Sequence, residues 1–177
     1  LLEYDDVMNA QRNAIYKKRR NALYGDRLDL DVQNMFYDVA EEIVNEHFPR
    51  KDFENFEVDV IKYLSIESPV SKHDFQNANP GQLIDTLFDN AMSAYENKSE
   101  KLAAMARPVI EQVFATQSDK YKTIAFPITD GQRTINTIVS LEEGVKTQGK
   151  NVPKTVEKFI NLSYIDNEWK EHLREMD

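Results

Sequence analysis

Residues 159–176 read FINLSYIDNEWKEHLREM, and this stretch decides the fold of the chain. Its apolar side chains recur at steps of three and four residues, which is the spacing of one face of an α-helix. They are Phe159, Leu162, Ile165, Trp169, Leu173 and Met176. We therefore expect a long closing helix, which Asn151-Val152-Pro153 opens because proline suits the first helical position.

The opening stretch has the same character. Residues 2–24 predict one amphipathic helix with Tyr4, Met8 and Ile15 on its apolar stripe. Its last turn is the basic run 17–20, which suits a helix C-terminus and is interpreted as a solvated face, with a nucleic-acid patch as the alternative. Neither helical pattern has a cap at the chain end, so we expect a piece of a longer protein.

The middle of the chain predicts further helices. Residues 28–44 carry the cleanest apolar stripe, which is expected to be core. A shorter helix is expected within 53–64, followed by a polar loop at 71–81. A long helix is expected over 81–117, with a kink or split near Ala106 because Pro108 cannot continue the hydrogen-bond ladder.

Residues 121–141 favour strands instead of helices. Apolar residues alternate before Asp130-Gly131, and β-branched residues follow it. Asp-Gly between such runs predicts a hairpin with a two-residue type I′ turn, which would put Phe126 opposite Ile135. Pro127 cannot donate to a ladder, so its nitrogen should face an edge or solvent. A loop is expected between Gly144 and Gly149, so the fold class is mainly α with one small β-hairpin.

Charge and composition exclude several classes of protein. The net charge is −9, and residues 26–117 carry 18 acidic and 8 basic side chains, which argues against nucleic acid as the main partner. The chain has no cysteine, which excludes disulfides and thiolate metal sites. No apolar run reaches the roughly 18 residues that a membrane-spanning helix needs, and no secretory leader is present, so a cytoplasmic setting is expected.

No catalytic centre can be assembled from the residue pattern. The five glycines are scattered and form no phosphate-binding loop. His47, His73 and His172 share no metal-ligand spacing, and adjacent acidic pairs point apart on a helix. We therefore predict no catalytic, cofactor-binding or metal-binding residues, and a self-contained hydrolase has no residue support.

Both ends nevertheless carry specific motifs. Residues 2–12, LEYDDVMNAQR, resemble the start of the long scaffold helix of the SecA family, the bacterial preprotein translocase motor ATPases. Residues 165–177, IDNEWKEHLREMD, resemble the place where the chain of that family returns to the scaffold and enters its two-helix finger. The second helix, 38–48, matches more loosely, and residues 121–150 do not match the shorter members of the family.

The resemblance implies a domain organisation. Residues 1–24 would be the first strip of the helical scaffold domain, and 25–120 the helical wing domain. Residues 121–152 would be a hairpin insertion with a loop. Residues 153–177 would be the returning scaffold helix at the start of the two-helix finger.

The resemblance also implies a function for the chain within a larger protein. It would be a structural and coupling module that links ATP-driven motor movements to preprotein export, and not an enzyme itself. ATP and Mg would be bound by the parent motor alone. Partners would be the motor and preprotein-binding domains of the same chain, with a SecY-type channel and preprotein reached through the parent, at the cytoplasmic face of the inner membrane. The alternative is a free-standing helical adaptor or protein-interaction domain.

The candidate site residues follow from this comparison. The hypothesis places Arg12 and Gln11 towards the motor, and the whole predicted interdomain interface comprises Gln11, Arg12, Tyr16, Trp169 and His172. The predicted scaffold core, in which the first and last helices pack together, comprises Tyr4, Met8, Ile15, Leu162, Ile165 and Leu173. Trp169 is interpreted either as a core anchor or as a group near the motor.

Overall fold

A computed structural model describes residues 2–25, 27–129, 131 and 134–176, with only the backbone described for residues 2–5. The fold is mainly α with one antiparallel hairpin, as predicted. Its helices are α1 (Leu2–Tyr24), α2 (Leu28–His47), α3 (Phe53–Asp59), α4 (Lys72–Asn77), α5 (Pro80–Gln117), α6 (Leu141–Lys146) and α7 (Asn151–Met176). Its strands are β1 (Thr123–Thr129) and β2 (Thr134–Ser140). Within the described ranges, no helix is both long and apolar enough to cross a bilayer.

The chain divides into two compact units. Residues 29–99 form the inserted unit, and residues 1–28 together with 100–177 form the terminal unit. The inserted unit has 15 acidic and 5 basic side chains, so it carries the acidic excess of the whole chain. The two ends of the sequence therefore belong to one unit, and the domain names assigned from the sequence stay predictions.

The core of the inserted unit is built on the apolar stripe of α2. Ala40, Ile43 and Val44 are at most 4% exposed, as expected from the spacing of that stripe. Met35, predicted on the same stripe, is 51% exposed instead. The stripe packs with buried residues of α3 and α5 in one cluster, so the period of the sequence does select the buried face of this helix.

The helix expected within 53–64 consists of two parts. Asp52 caps α3 by accepting from the Asn55 backbone N–H at 3.2 Å, which satisfies one of the free donors at a helix start. After Asp59 the helix continues as a π-helical turn, Val60–Leu64, which ends at Ser65 in the left-handed conformation, φ +56°. A π-helical turn is a local widening of the helix that sequence periodicity does not predict.

The loop predicted at 71–81 is wrong, because residues 72–77 form helix α4. Ser71 caps it by accepting from the Asp74 backbone N–H at 3.2 Å. The only large apolar side chain of this helix, Phe75, is 0% exposed. Burial of one aromatic ring thus fixes a short helix whose other side chains are polar.

Helix α5 begins at Pro80 and is continuous through Pro108, so the predicted split is wrong. Pro108 lies on the exposed side of the helix. A proline ring on the solvent side leaves the packed face of the helix intact, and a kink there stays a prediction.

The predicted hairpin is confirmed, but its predicted register is wrong. Phe126 pairs with Thr137, and Ile128 pairs with Ile135, so the strands are joined by four residues instead of two. The shift is two residues, and side chains alternate with a period of two, so each side chain keeps its predicted face. The Leu141 backbone N–H donates to Lys122 O at 3.0 Å, which makes the even-numbered residues of β1 the hydrogen-bonded ones and turns the Pro127 nitrogen outward.

The core of the terminal unit lies under the hairpin. It comprises Ala106, Ile110, Val139, Leu141 and Val152, which are at most 3% exposed. The loop predicted from residue 144 is partly wrong, because residues 141–146 form α6 and the turn begins only after Lys146. Pro153 is the third residue of α7 and not the first.

Candidate functional site

The helices α1 and α7 pack side by side in antiparallel directions, although more than a hundred residues separate them in sequence. Three contacts trace the pairing along their length. They are Arg19 with Asp166, Gln11 with His172, and Gly25 with Lys158. As residue numbers rise along α1, the numbers of the facing residues on α7 therefore fall. These contacts confirm the predicted pairing of the first and last helices. We call this helix–helix contact the seam.

Most members of the two predicted helical stripes are half-buried, but Phe159 is 45% exposed, and the scaffold-core role of these residues stays a prediction. Met8 and Ile15 on α1 are half-buried, and Ala22 is 4% exposed. On α7 the half-buried members are Leu162, Ile165, Trp169, Leu173 and Met176. The side chain of Tyr4 lies outside the described residues, so its predicted core position is untested. The stripes contain mostly apolar side chains, so burial of those side chains stabilises the pair.

An ion pair lies along one flank of the seam. The Arg19 guanidinium donates to both carboxylate oxygens of Asp166, through Nε at 2.9 Å and through Nη2 at 3.4 Å. The Asp166 carboxylate, by hydrogen bonding and by its charge, raises the pKa of Arg19 above its ordinary value. Both side chains remain well exposed, so the fork adds directional specificity more than stability.

A polar pair lies inside the seam. The His172 Nε2–H donates to Gln11 Oε1 at 3.1 Å, and both side chains are half-buried. The Trp169 indole lies against the His172 ring, with centroids 5.5 Å apart and planes inclined by 30°. The hydrogen bond from Nε2 and the contact with the indole together restrict the orientation of the His172 ring.

The structure separates the residues predicted to form an interdomain interface. Gln11, Trp169 and His172 lie together in the seam, where Gln11 contacts α7 and does not share the outer face with Arg12. Arg12 is exposed, and Tyr16 is 59% exposed. Arg12 and Tyr16 therefore have the most exposed side chains of the five, and the interface role of all five residues stays a prediction.

Residue-by-residue reasoning missed the Arg19–Asp166 pair. The basic run 17–20 was interpreted as a solvated face, which holds for most of it, but Arg19 lies beside the seam and is paired. A signal was present in the sequence: Asp166 follows the seam residue Ile165, and Arg19 follows Ile15 by four residues. The pairing itself required knowledge of the register between the two helices.

Large apolar side chains also remain exposed on the outer faces of both helices. On α1, Leu23 and Tyr24 are 47% and 65% exposed, and on α7, Ile160 and Tyr164 are 51% and 68% exposed. Exposed apolar groups clustered on neighbouring helices are typical of surfaces that contact another protein segment. Across the described part of the chain, no group of three or more His, Asp or Glu side chains is placed to hold a metal ion.

The end of α1 depends on Gly25, which allows a testable prediction. Its φ is +74°, and its N–H donates to Asn21 O at 2.9 Å, the geometry of a left-handed helix cap. Gly25→Ala should lower the free energy of unfolding by about 1–2 kcal/mol, because a Cβ is strained in this conformation. The Lys158 tail, 3.1 Å from the position of that Cβ, is flexible and can move aside.

The measurement is chemical denaturation of the alanine variant beside a Gly25→Asn variant. Asparagine tolerates the left-handed conformation, so it should lose less stability than alanine. Equal losses in the two variants would mean that contact with Lys158, and not backbone strain, limits this position.

The chain is similar to known proteins over its whole length. The family model described as the SecA Wing and Scaffold domain matches residues 1–177. The protein translocase subunit SecA of Porphyromonas gingivalis strain W83 is 47% identical over 177 residues, which is 100% of this chain and 16% of that protein. The SecA subunits of Parabacteroides distasonis and Bacteroides fragilis are 45% and 42% identical over the same length, again covering 16% of each protein.

The chain thus spans about one sixth of the length of these relatives, 16% in each case. No solved structure matches it. The match of the family model extends from the first residue to the last, and so includes both helices of the seam and the inserted unit between them. The chain belongs to the SecA family, as a fragment that comprises its wing and scaffold region.

Proposed function

We propose that the chain is the structural and coupling module of a SecA protein translocase, linking ATP-driven movements of the motor domains to preprotein export. The observation that carries this proposal is the seam, in which α1 and α7 are joined from Gly25–Lys158 to Gln11–His172. Because the seam joins residues near both ends of the chain, a force applied at either end acts on the same element.

The dimensions of the pair suit mechanical coupling. Helix α1 has 23 residues and α7 has 26, which at about 1.5 Å per residue corresponds to rods of roughly 35–40 Å. Most of the stability of a helix in a protein comes from packing of its apolar face, so two helices packed along a common seam stabilise each other along their length. A paired rod can therefore transmit a displacement between domains that do not touch each other.

The outer faces supply the contacts that such a module needs. Arg12 and Tyr16 are exposed on α1, and Arg12 keeps its guanidinium available for carbonyl or carboxylate groups of a neighbouring domain. The partners in this proposal are the motor and preprotein-binding domains of the longer chain. The SecY-type channel and the preprotein are reached through that parent, at the cytoplasmic face of the inner membrane.

Nucleotide chemistry belongs to the parent in this proposal. ATP and Mg would bind in its motor domains, and the wing and scaffold region would contribute no catalytic side chain. The acidic inserted unit, with 15 acidic and 5 basic residues, would stay solvated while the packed helices α1 and α7 transmit the displacement.

The test is Arg12→Ala in the full-length translocase. We expect ATP hydrolysis to continue while preprotein translocation per ATP falls on the order of tenfold, since coupling free energies between sites are typically about 1–3 kcal/mol. Both rates are measured on the same preparation with membrane vesicles, and helical content is checked by circular dichroism.

Lys17→Ala is the matched control, because Lys17 is exposed on the same helix and lies about 140° from Arg12 by helical phase. It should leave coupling unchanged. Translocation per ATP that is equal in Arg12→Ala and in the unaltered protein would refute the role given to Arg12 and to the outer face of α1.

A further inference from the structure

The seam has the spacing of a two-stranded coiled coil. Its members on α1 are Met8, Gln11, Ile15 and Ala22, and on α7 they are Leu162, Ile165, Trp169, His172, Leu173 and Met176. Steps of three and four residues separate most of these members, as in a heptad repeat, although on α1 the position between Ile15 and Ala22 is the exposed Lys18. Contacts between apolar side chains do not depend on direction. Two helices with this repeat can therefore pack together again after one of them is displaced by one whole repeat.

A displacement by seven residues would preserve the apolar layers. In the observed register the contacts place Met8 at the level of Met176, and Ile15 at the level of Trp169. If α1 moved towards its own C-terminus by one repeat, Met8 would reach the level of Trp169, and Ile15 that of Leu162. Apolar side chains would again face each other, so these layers do not distinguish the two registers.

The ion pair would also survive that displacement. Arg12 and Arg19 are seven residues apart, so they share one phase of α1. Arg19 holds Asp166 in the observed register, and Arg12 is exposed. After a one-repeat displacement Arg12 would arrive where Arg19 now lies, and the fork to Asp166 could re-form.

Of the two side-chain hydrogen-bonded pairs in the seam, only the Gln11–His172 pair would be lost. Displaced by seven residues, Gln11 would face Ile165, and His172 would lose the amide oxygen that it now contacts at 3.1 Å. A half-buried amide without a partner is unfavourable, and a polar residue at a core position of a coiled coil is a known way to fix its register. Among the side-chain hydrogen bonds of the seam, this pair is the one that distinguishes the two registers.

We propose that the Gln11–His172 hydrogen bond selects the register of α1 on α7, against a second register one repeat away in which Arg12 replaces Arg19 at Asp166. The pair thereby fixes the alignment of α1 relative to α7. This inference concerns the seam itself and does not depend on the export function, because it is tested without ATP, membrane or preprotein.

The experiment measures the register directly. The chain contains no cysteine, so cysteines introduced at the exposed positions Arg20 and Glu175 can carry one spin label each. Pulsed dipolar spectroscopy on the 177-residue chain should give one distance. Displacement by one repeat would lengthen the separation along the helices by about 10 Å, seven residues at about 1.5 Å each.

Gln11→Leu combined with His172→Leu should keep the helical content and add a second distance, longer by up to about 10 Å. Adding Arg12→Ala should then reduce the second population, because the displaced register loses its ion pair. The reciprocal swap, Gln11→His with His172→Gln, preserves a polar pair and should keep the single original distance. Methionine in place of both leucines repeats the test with a more adaptable side chain.

The outcome that overturns the proposal is a single, unchanged distance in both the leucine and the methionine variants. In that case the register would be fixed by the other contacts of the terminal unit. A second distance that persists undiminished after Arg12→Ala would equally contradict the displaced register described here.

Discussion

Phe75→Ala is expected to lower the free energy of unfolding of the inserted unit by about 3–5 kcal/mol, the usual cost of truncating a fully buried phenylalanine. Phe75 is 0% exposed and contacts three other aromatic rings. The centroid distances are 4.7 Å to Phe56, 5.5 Å to Phe53 and 5.8 Å to Phe48. Removing the ring leaves a cavity that these three rings line, and it removes the one large apolar side chain of α4.

Urea denaturation followed by circular dichroism measures this loss. The matched control is Gln76→Ala, a neighbour on the same short helix whose side chain is exposed. It should change stability little, since exposed substitutions away from special features have small effects. A loss in Phe75→Ala no larger than that in Gln76→Ala would show that α4 does not close the core of this unit.

Gly149→Ala should destabilise the terminal unit by about 2–5 kcal/mol, through two independent causes. The φ of Gly149 is +84°, which costs a residue with a Cβ about 1–2 kcal/mol. That Cβ would also lie 2.5 Å from Ala103 O and 3.3 Å from the Arg107 nitrogen. Both are backbone atoms of α5, which cannot rotate away as a side chain would, so the turn after α6 must separate from α5.

Gly131→Ala separates the two causes. Its φ is +93°, and the added Cβ would meet nothing within 4 Å among the described residues. This control should therefore show the backbone cost alone. Thermal unfolding of the two variants side by side measures the difference, and equal shifts would contradict the close approach of the turn to α5.

Predictions from sequence were most successful where a periodic stripe coincided with burial. The helices α1, α2 and α7 lie where their stripes predict, because a 3.6-residue period selects one face whatever that face contacts. The predicted strands are also confirmed, and so is the outward-facing nitrogen of Pro127, since proline lacks the N–H that a ladder requires. The SecA resemblance was carried by short motifs at the two ends, and the match extends over the whole chain.

The errors share a physical cause. Helix α4 is polar except for Phe75, so no apolar stripe marks it beyond the Ser71 cap, and it exists because one ring fills an aromatic core assembled from distant segments. The predicted hairpin register depends on the length of the turn, and Asp130-Gly131 alone predicts a turn of two residues. Pairing of Ile128 with Ile135 required a longer connection, and a two-residue shift has no effect on which face is apolar.

The amino-acid sequence by itself determined which faces of the helices are apolar, that a hairpin follows α5, and to which family the ends are similar. Only the tertiary structure decided the partner of each face, including the register that brings Gln11 to His172 and Arg19 to Asp166. The reason is that periodicity is a property of one segment, whereas register is a relation between two. Apolar stripes attract one another at many offsets, and the polar contacts that distinguish those offsets become visible only when both helices are in place.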